Sequence, residues 1–221
     1  MPNVSWRFAC PYDRCVLAGI AAVSGALLVA YLLGTFPTAD LVAAGAGKDL
    51  SREGSGNPGA TNAFRVAGRR AGATVLVGDL LKGAIAAFFG IAIGGLIDPG
   101  GQGARALGYA CALAAVLGHC YPAFRLKRGG RGVASAGGAL IVLEPVVLIV
   151  SFTCWALVAR LTRAASLASL GLCLGIPAAL VVLRRPTVEL AFALAMGAIV
   201  IIRHAPNIAR LMRGEERTLP E

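Results

Sequence analysis

The 221-residue sequence is poor in charge: Asp, Glu, Lys and Arg make up 14% of it, against about a quarter in a soluble domain. Too few charged side chains are present to clothe a water-facing surface, which excludes an ordinary soluble protein. Aromatic residues are also scarce, at 6%, so the core cannot be built around large rings. Small side chains must do the packing instead, as where transmembrane helices approach closely. The six cysteines, Cys10, Cys15, Cys111, Cys120, Cys154 and Cys173, form no C-x-x-C pair. They read as small buried hydrophobes, not as a disulfide framework or a metal site. The two histidines lie far apart in the chain, so no local metal motif exists, and neither metal nor cofactor is expected. Three further absences narrow the chemistry. No G-x-S-x-G elbow is present, no Gly-Lys-Ser/Thr closes a Walker loop, and no His is followed five residues later by Asp.

What is present is apolar. Hydrophobic residues account for 57% of the chain, gathered in long runs between short basic stretches. A crossing helix needs about 20 such residues. Candidate spans run over about Val16–Ala44, Ala71–Ile97, Arg105–Phe124, Ala164–Leu183 and Thr187–Arg203. The first is interrupted at Thr35, Pro37, Thr38 and Asp40. The stretch 132–161 is too long for one upright crossing, since 30 residues would extend about 45 Å. Glu144-Pro145 sits near its middle, where the pre-proline restriction and an ionisable side chain both favour a break. The choice lies between six spans and seven.

The net charge is +10, and in an apolar chain this reads as cytoplasmic bias and contact with anionic lipid, not as nucleic-acid binding. Seven spans with the N-terminus outside put fifteen of the 21 basic residues inside; six spans reduce this to eleven. The positive-inside rule therefore favours seven, leaving Arg105 and the Arg184-Arg185 pair on the wrong side. The expected architecture is an all-α integral membrane protein of about seven transmembrane helices, one of them short, with cytoplasmic glycine-rich loops. Residues 1–15 form an N-terminal segment, 16–204 the membrane domain and 205–221 a cytoplasmic tail. Arg7 and Arg14 precede the first apolar run without a small-x-small cleavage site after it, so that run is expected to be retained.

Three polar motifs fall on the same expected face. The first is the loop Gly54-Ser55-Gly56-Asn57-Pro58-Gly59-Ala60-Thr61-Asn62, whose glycines allow a concave turn of free N–H groups that suits an anion. Ser55, Gly56, Asn57, Gly59, Thr61 and Asn62 are its candidate binding residues. The second is Lys127-Arg128-Gly129-Gly130-Arg131-Gly132-Val133-Ala134-Ser135, a basic turn feeding a helix whose N-terminus attracts phosphate. Gly129, Gly130, Arg131, Gly132 and Ser135 are candidates here. The third runs from His204 through Asn207 and Arg210 to Glu216, where the last span leaves the membrane. Asp79 and Lys82 share a face of the second span and are expected to pair. His119, ending the third, either lines the same cavity or caps the helix, and reads rather as a cap.

Together these residues resemble the bacterial acyl-phosphate:glycerol-3-phosphate acyltransferase family (PlsY). The resemblance spans about Gly34 to Glu216 through Gly34–Ala39, the Gly54–Asn62 loop, Gly78–Gly83, Gly118-His119, the Gly129–Ser135 loop and His204–Glu216. It implies a multi-pass protein of the bacterial inner membrane with its active site facing the cytoplasm. Such an enzyme transfers a fatty acyl chain from acyl phosphate to the 1-hydroxyl of glycerol 3-phosphate, the first step of phospholipid synthesis, without a cofactor. The implied partners are those two substrates and membrane lipid. The resemblance also implies that Thr35, Arg52, Asn57, Arg131, His204 and Asn207 serve catalysis and that Glu216 is structural. The chain departs from the family where Thr35 replaces Ser, Arg131 replaces Lys and Ser135 replaces Thr. Ser51 stands where the family has Arg, with Arg52 adjacent. Two other readings fit some of the same residues: a relative that binds lipid or phosphate without turnover, and a small-anion transporter.

Overall fold

The computed structural model describes residues 12–99, 101–123 and 129–219. The N-terminal residues 1–11, and Lys127 and Arg128 of the second glycine motif, lie outside the described residues. Among those described, the chain is entirely helical and turn. The helices are α1 (Tyr12–Gly34), α2 (Thr38–Gly45), α3 (Ala60–Ile97), α4 (Gly103–Cys120), α5 (Val133–Leu143), α6 (Pro145–Thr162), α7 (Ala165–Val182), α8 (Thr187–Arg203) and α9 (Ala205–Met212). Stretches 14–45, 60–97, 145–162 and 165–182 are each long and apolar enough to cross a membrane. The pair α8–α9, bent by 59°, passes together as a fifth.

The breaks fall where backbone chemistry demands them. Pro37 separates α1 from α2. Glu144, restricted by Pro145, sits at φ −146° and ψ 65° and ends α5 after 11 residues. That helix is about 16 Å long, half the hydrocarbon core. α3 begins earlier than its expected span, at Ala60, so the end of the first glycine loop is already helical. It is interrupted at Gly68, whose φ of 85° only glycine adopts easily.

Small residues set the spacing between helices. α3 and α5 meet at a reciprocal contact: a Cβ on Gly83 would overlap the Ser135 carbonyl, and one on Gly138 would overlap the Leu80 carbonyl. α1 and α4 repeat the device with Gly34 against Ala115 and Gly118 against Tyr31. Between them, Tyr109, Ala112 and Val116 of α4 pack on Ala139 and Leu143 of α5 and Met196 of α8.

The buried charges are matched. Lys82 donates to Asp79 at 2.6 Å as expected, with both side chains about 95% or more enclosed. At the opposite end of the bundle, Arg105 reaches Glu144 at 2.7 Å and Glu189 at 3.0 Å, and Arg185 reaches Glu144 at 2.9 Å. Two of the arginines that the charge count leaves on the outer side, Arg105 and Arg185, are thereby paired. A single buried charge without its partner would be strongly unfavourable.

The glycine contact can be tested within one helix. Gly138→Ala should lower the melting temperature in detergent, with an overpacking penalty of about 1–3 kcal/mol. Gly137→Ala, whose Cβ would meet only the tip of Leu80 at 3.6 Å, should be neutral or slightly stabilising.

Candidate functional site

A cavity of about 600 Å³ opens where the first glycine loop, the start of α5 and the α8–α9 bend come together. Its polar end is built from three local arrangements.

The second glycine turn is held from behind. Arg203 donates to the carbonyls of Gly129 and Gly130, the latter at 3.0 Å, and its guanidinium lies 5.2 Å over the Tyr121 ring. The Gly130 N–H donates to the His119 carbonyl at 3.0 Å. Any side chain at Gly129 or Gly130 would overlap the end of α4, so the turn must be glycine to lie this close. Gly132 then takes a left-handed φ of 84° and caps α5. The first helical bond comes from the Ala136 N–H to the Gly132 carbonyl at 2.8 Å, so the N–H groups of residues 133–135 have no partner within the helix. Arg131, Gly132, Val133 and Ala134 line the cavity. Among the described residues, Arg131 makes no hydrogen bond or ion pair. Burial, then the nearby Arg210, pull its pKa down to about 10. It remains charged at neutral pH, an unmatched cation beside a helix N-terminus.

The first glycine loop is folded around Asn62. Its buried amide donates to the carbonyls of Leu50 at 3.2 Å and Glu53 at 3.1 Å, and its Oδ1 accepts from the Ser55 N–H at 2.8 Å. This presents Ser55, Asn57, Gly59 and Thr61 at the cavity wall.

The third arrangement is the bend after α8. The Nδ1–H of His204 donates to the Val200 carbonyl at 2.8 Å, because a carbonyl only accepts; Nε2 is therefore left as the acceptor. Asn207 donates through Nδ2 to Glu216 at 2.7 Å, and Glu216 also accepts from Arg210 at 3.1 Å. Glu216 thus fixes the amide so that Oδ1, buried and without a protein partner, waits for a donor. These two contacts match the structural place that the resemblance implies for Glu216.

Nine of the sequence candidates line this one cavity: Ser55, Asn57, Gly59, Thr61, Asn62, Arg131, Gly132, His204 and Asn207. Six do not. Arg52 is 87% exposed and lies 3.6 Å from Asp49, so the structure does not bring it to the cavity. Thr35 donates its hydroxyl to the Leu32 carbonyl at 2.7 Å, and its backbone packs on Gly118. Its neighbours Phe36–Ala39 border a small adjoining hollow with Asp79, Lys82 and His119. Gly56 lies in the loop away from the wall, Gly129 and Gly130 are pressed on α4, and Ser135 is buried against α3. Three kinds of lining residue were not among the candidate site residues. His119 lines the cavity along with Asp79, 3.6 Å away, and does not merely cap α4. Arg65, Arg69 and Arg217 ring the polar end with Arg210 of the third motif; in the sequence the first three were indistinguishable from cytoplasmic bias. The long apolar wing, from Leu148, Phe152 and Trp155 on α6 to Leu172, Ile176 and Met196 on α7 and α8, had no signal because those helices are apolar all round. Among the described residues no three His, Cys, Asp or Glu side chains converge as a metal site would need.

A family profile described as glycerol-3-phosphate acyltransferase matches residues 24–214. A glycerol-3-phosphate acyltransferase of Rubrobacter xylanophilus is 39% identical over 86% of this chain and 92% of its own. One from Moorella thermoacetica, named glycerol-3-phosphate acyltransferase 2, is 40% identical over 89% and 97%. Among solved structures, PlsY (YgiH), an integral membrane glycerol 3-phosphate acyltransferase, superposes in its glycerol 3-phosphate form with a TM-score of 0.82. That pair is 36% identical and covers 90% of this chain and 96% of that one. Its lysophosphatidic acid form gives 0.80 at 35% identity.

The unmatched cation makes a prediction for anions in general. Calorimetric titration with inorganic phosphate should show Arg131→Ala binding about 10–100-fold more weakly, the worth of a charged hydrogen bond. Arg52→Ala should change binding by no more than about threefold, as for an exposed surface charge.

Proposed function

This chain belongs to the glycerol-3-phosphate acyltransferase family, and we propose that it moves the acyl group of an acyl phosphate onto the 1-hydroxyl of glycerol 3-phosphate inside this cavity. It is an integral membrane acyltransferase. The observation that carries the finer reading is the continuity of one space: an unmatched arginine at a helix N-terminus opens into an apolar wing, with His204 and Asn207 between.

The phosphate of glycerol 3-phosphate sits against Arg131 and the first-turn N–H groups of α5, with Gly129 and Gly130 allowing the turn. The Gly54–Asn62 loop, through Ser55, Asn57 and Thr61, faces the second phosphate, that of the acyl donor. The ring of arginines offsets the repulsion between the two anions. The hydroxyl oxygen attacks the acyl carbonyl carbon, and the bond from that carbon to the phosphate oxygen breaks. The bonding pair leaves with inorganic phosphate, and the product is lysophosphatidate. Because the mixed anhydride carries its own good leaving group, the site needs no covalent nucleophile; holding two reactants in place supplies most of the acceleration. Asn207 Oδ1 accepts from the attacking hydroxyl. The released proton passes to His204 Nε2 or to a phosphate oxygen. The acyl tail lies in the apolar wing, and its route to the bilayer runs between Leu76 of α3 and Phe152 of α6, two exposed apolar residues that line the cavity.

The reading of seven spans with the site at the inner face is supported by which ends meet. The start of α4, the end of α5, the end of α7 and the start of α8 share one charged cluster. Arg131 and His204 share the cavity at the other end. A six-span arrangement would put Arg131 and His204 on opposite faces. The inner face also receives most of the arginines.

Purified protein given acyl phosphate and labelled glycerol 3-phosphate should form labelled lysophosphatidate. His204→Ala should lower kcat by about 10²–10⁴-fold if the imidazole takes the proton, and by little if phosphate does. Absence of product while a family control is active would contradict the donor reading.

A further inference from the structure

On four helices the cavity lining stops one turn short of the charged cluster: at Tyr109 on α4, Leu140 on α5, Leu148 on α6 and Ala193 on α8. On α3 it stops sooner, at Leu80 beside the Asp79–His119 pair. At 1.5 Å per helical residue, Tyr109 lies about 15 Å beyond His119, and Ala193 about 16 Å beyond His204. The apolar wing is therefore a chamber of definite depth.

α4 shows what closes it. Only His119 and Tyr109 of this helix line the space; Ala112 and Val116 between them are covered by α5 and α8. Tyr109 is fully buried, and its hydroxyl donates to Glu144 Oε1 at 3.2 Å. The same carboxylate accepts from Arg105 at 2.7 Å and Arg185 at 2.9 Å, while Glu189 takes the other face of Arg105. Immediately behind the tyrosine ring stand two carboxylates and two guanidiniums. An apolar chain that grew past Tyr109 would have to expel a packed ring and then separate buried charges, both strongly unfavourable.

We propose that Tyr109, braced by Glu144, is the end wall of the acyl chamber and sets the longest acyl chain that the enzyme transfers efficiently. The inference rests on the acyl-phosphate reading above. The wall is the ring itself, and the ion cluster holds the ring in place, so the aromatic body and the hydroxyl have separable effects.

The test measures kcat/KM for a series of saturated acyl phosphates of increasing length with saturating glycerol 3-phosphate. Wild type should show a sharp drop past one limiting length. Tyr109→Ala, or Tyr109→Leu if the alanine variant does not fold, should move that drop to longer chains, raising kcat/KM just past the old limit about tenfold or more, the scale on which one methylene is discriminated in a closed pocket. Tyr109→Phe should leave the limit in place. Ala193→Leu, which fills the same level from α8, should move it to shorter chains. A profile with no limit, or one that none of these variants shifts, overturns the wall: the tail then leaves sideways between α3 and α6. Failure of wild type to use any acyl phosphate instead overturns the donor reading, and the wall with it.

Discussion

α3 and α5 touch through backbone, at Gly83 against Ser135 and Gly138 against Leu80, and this contact fixes where α5 begins. α5 is only 11 residues long, so a displacement of its start moves the whole end that lines the cavity. Held against α3, its first turn lies beside Asp79 and His119 and across from the α8–α9 bend. A larger side chain at either glycine would push α5 outward. Arg131 would then leave the level of His204 and Asn207, and the space between them would open to lipid. The three glycine-rich or bent segments can form a single site because the helices carrying them pack more closely than ordinary side chains allow.

Charge is distributed so that one end of the bundle is finished and the other is not. At the far end, Arg105 and Arg185 are answered by Glu144 and Glu189. At the site end, the Arg65, Arg131, Arg210 and Arg217 side chains around the cavity meet Glu216, itself occupied by Asn207 and Arg210. The surplus positive charge is useful only if anions arrive, and the proposed reaction brings two. It holds together reactants that would otherwise repel, in a partly enclosed space where electrostatic attraction is stronger than in water. In the same proposal the apolar wing holds what is attached to one of those anions. Hydrophobic burial of the tail and charge attraction of the head act on the same molecule at opposite ends of the cavity.

Much of this was legible in the sequence. Pro37 and Glu144-Pro145 marked breaks that the structure shows, because proline constrains the chain locally whatever surrounds it. The pairing of Asp79 with Lys82 followed from their spacing on a helix. Nine of the candidate residues meet in one cavity because their motifs are local turns whose chemistry is written in consecutive residues. Arg52 shows where such reading stops. Its neighbour Asp49 and its place on an exposed turn, not its distance in sequence from a family position, decide where it points. His119 looked like a cap because its partner, Asp79, is forty residues away and meets it only through packing. The apolar wing was hidden for a different reason. In a membrane helix the face toward a cavity and the face toward lipid are both hydrophobic, so periodicity distinguishes neither.

The most direct measurement is sided labelling. In a variant lacking its exposed native cysteines, Ser55→Cys and Arg217→Cys would be treated, one at a time, with a membrane-impermeant thiol reagent in right-side-out and inverted vesicles. If the glycine loop and the chain after the last helix border one cavity, both positions react from the same side, and glycerol 3-phosphate with a non-hydrolysable acyl phosphate slows both. Reaction of the two from opposite sides would contradict the shared site on which the whole account stands.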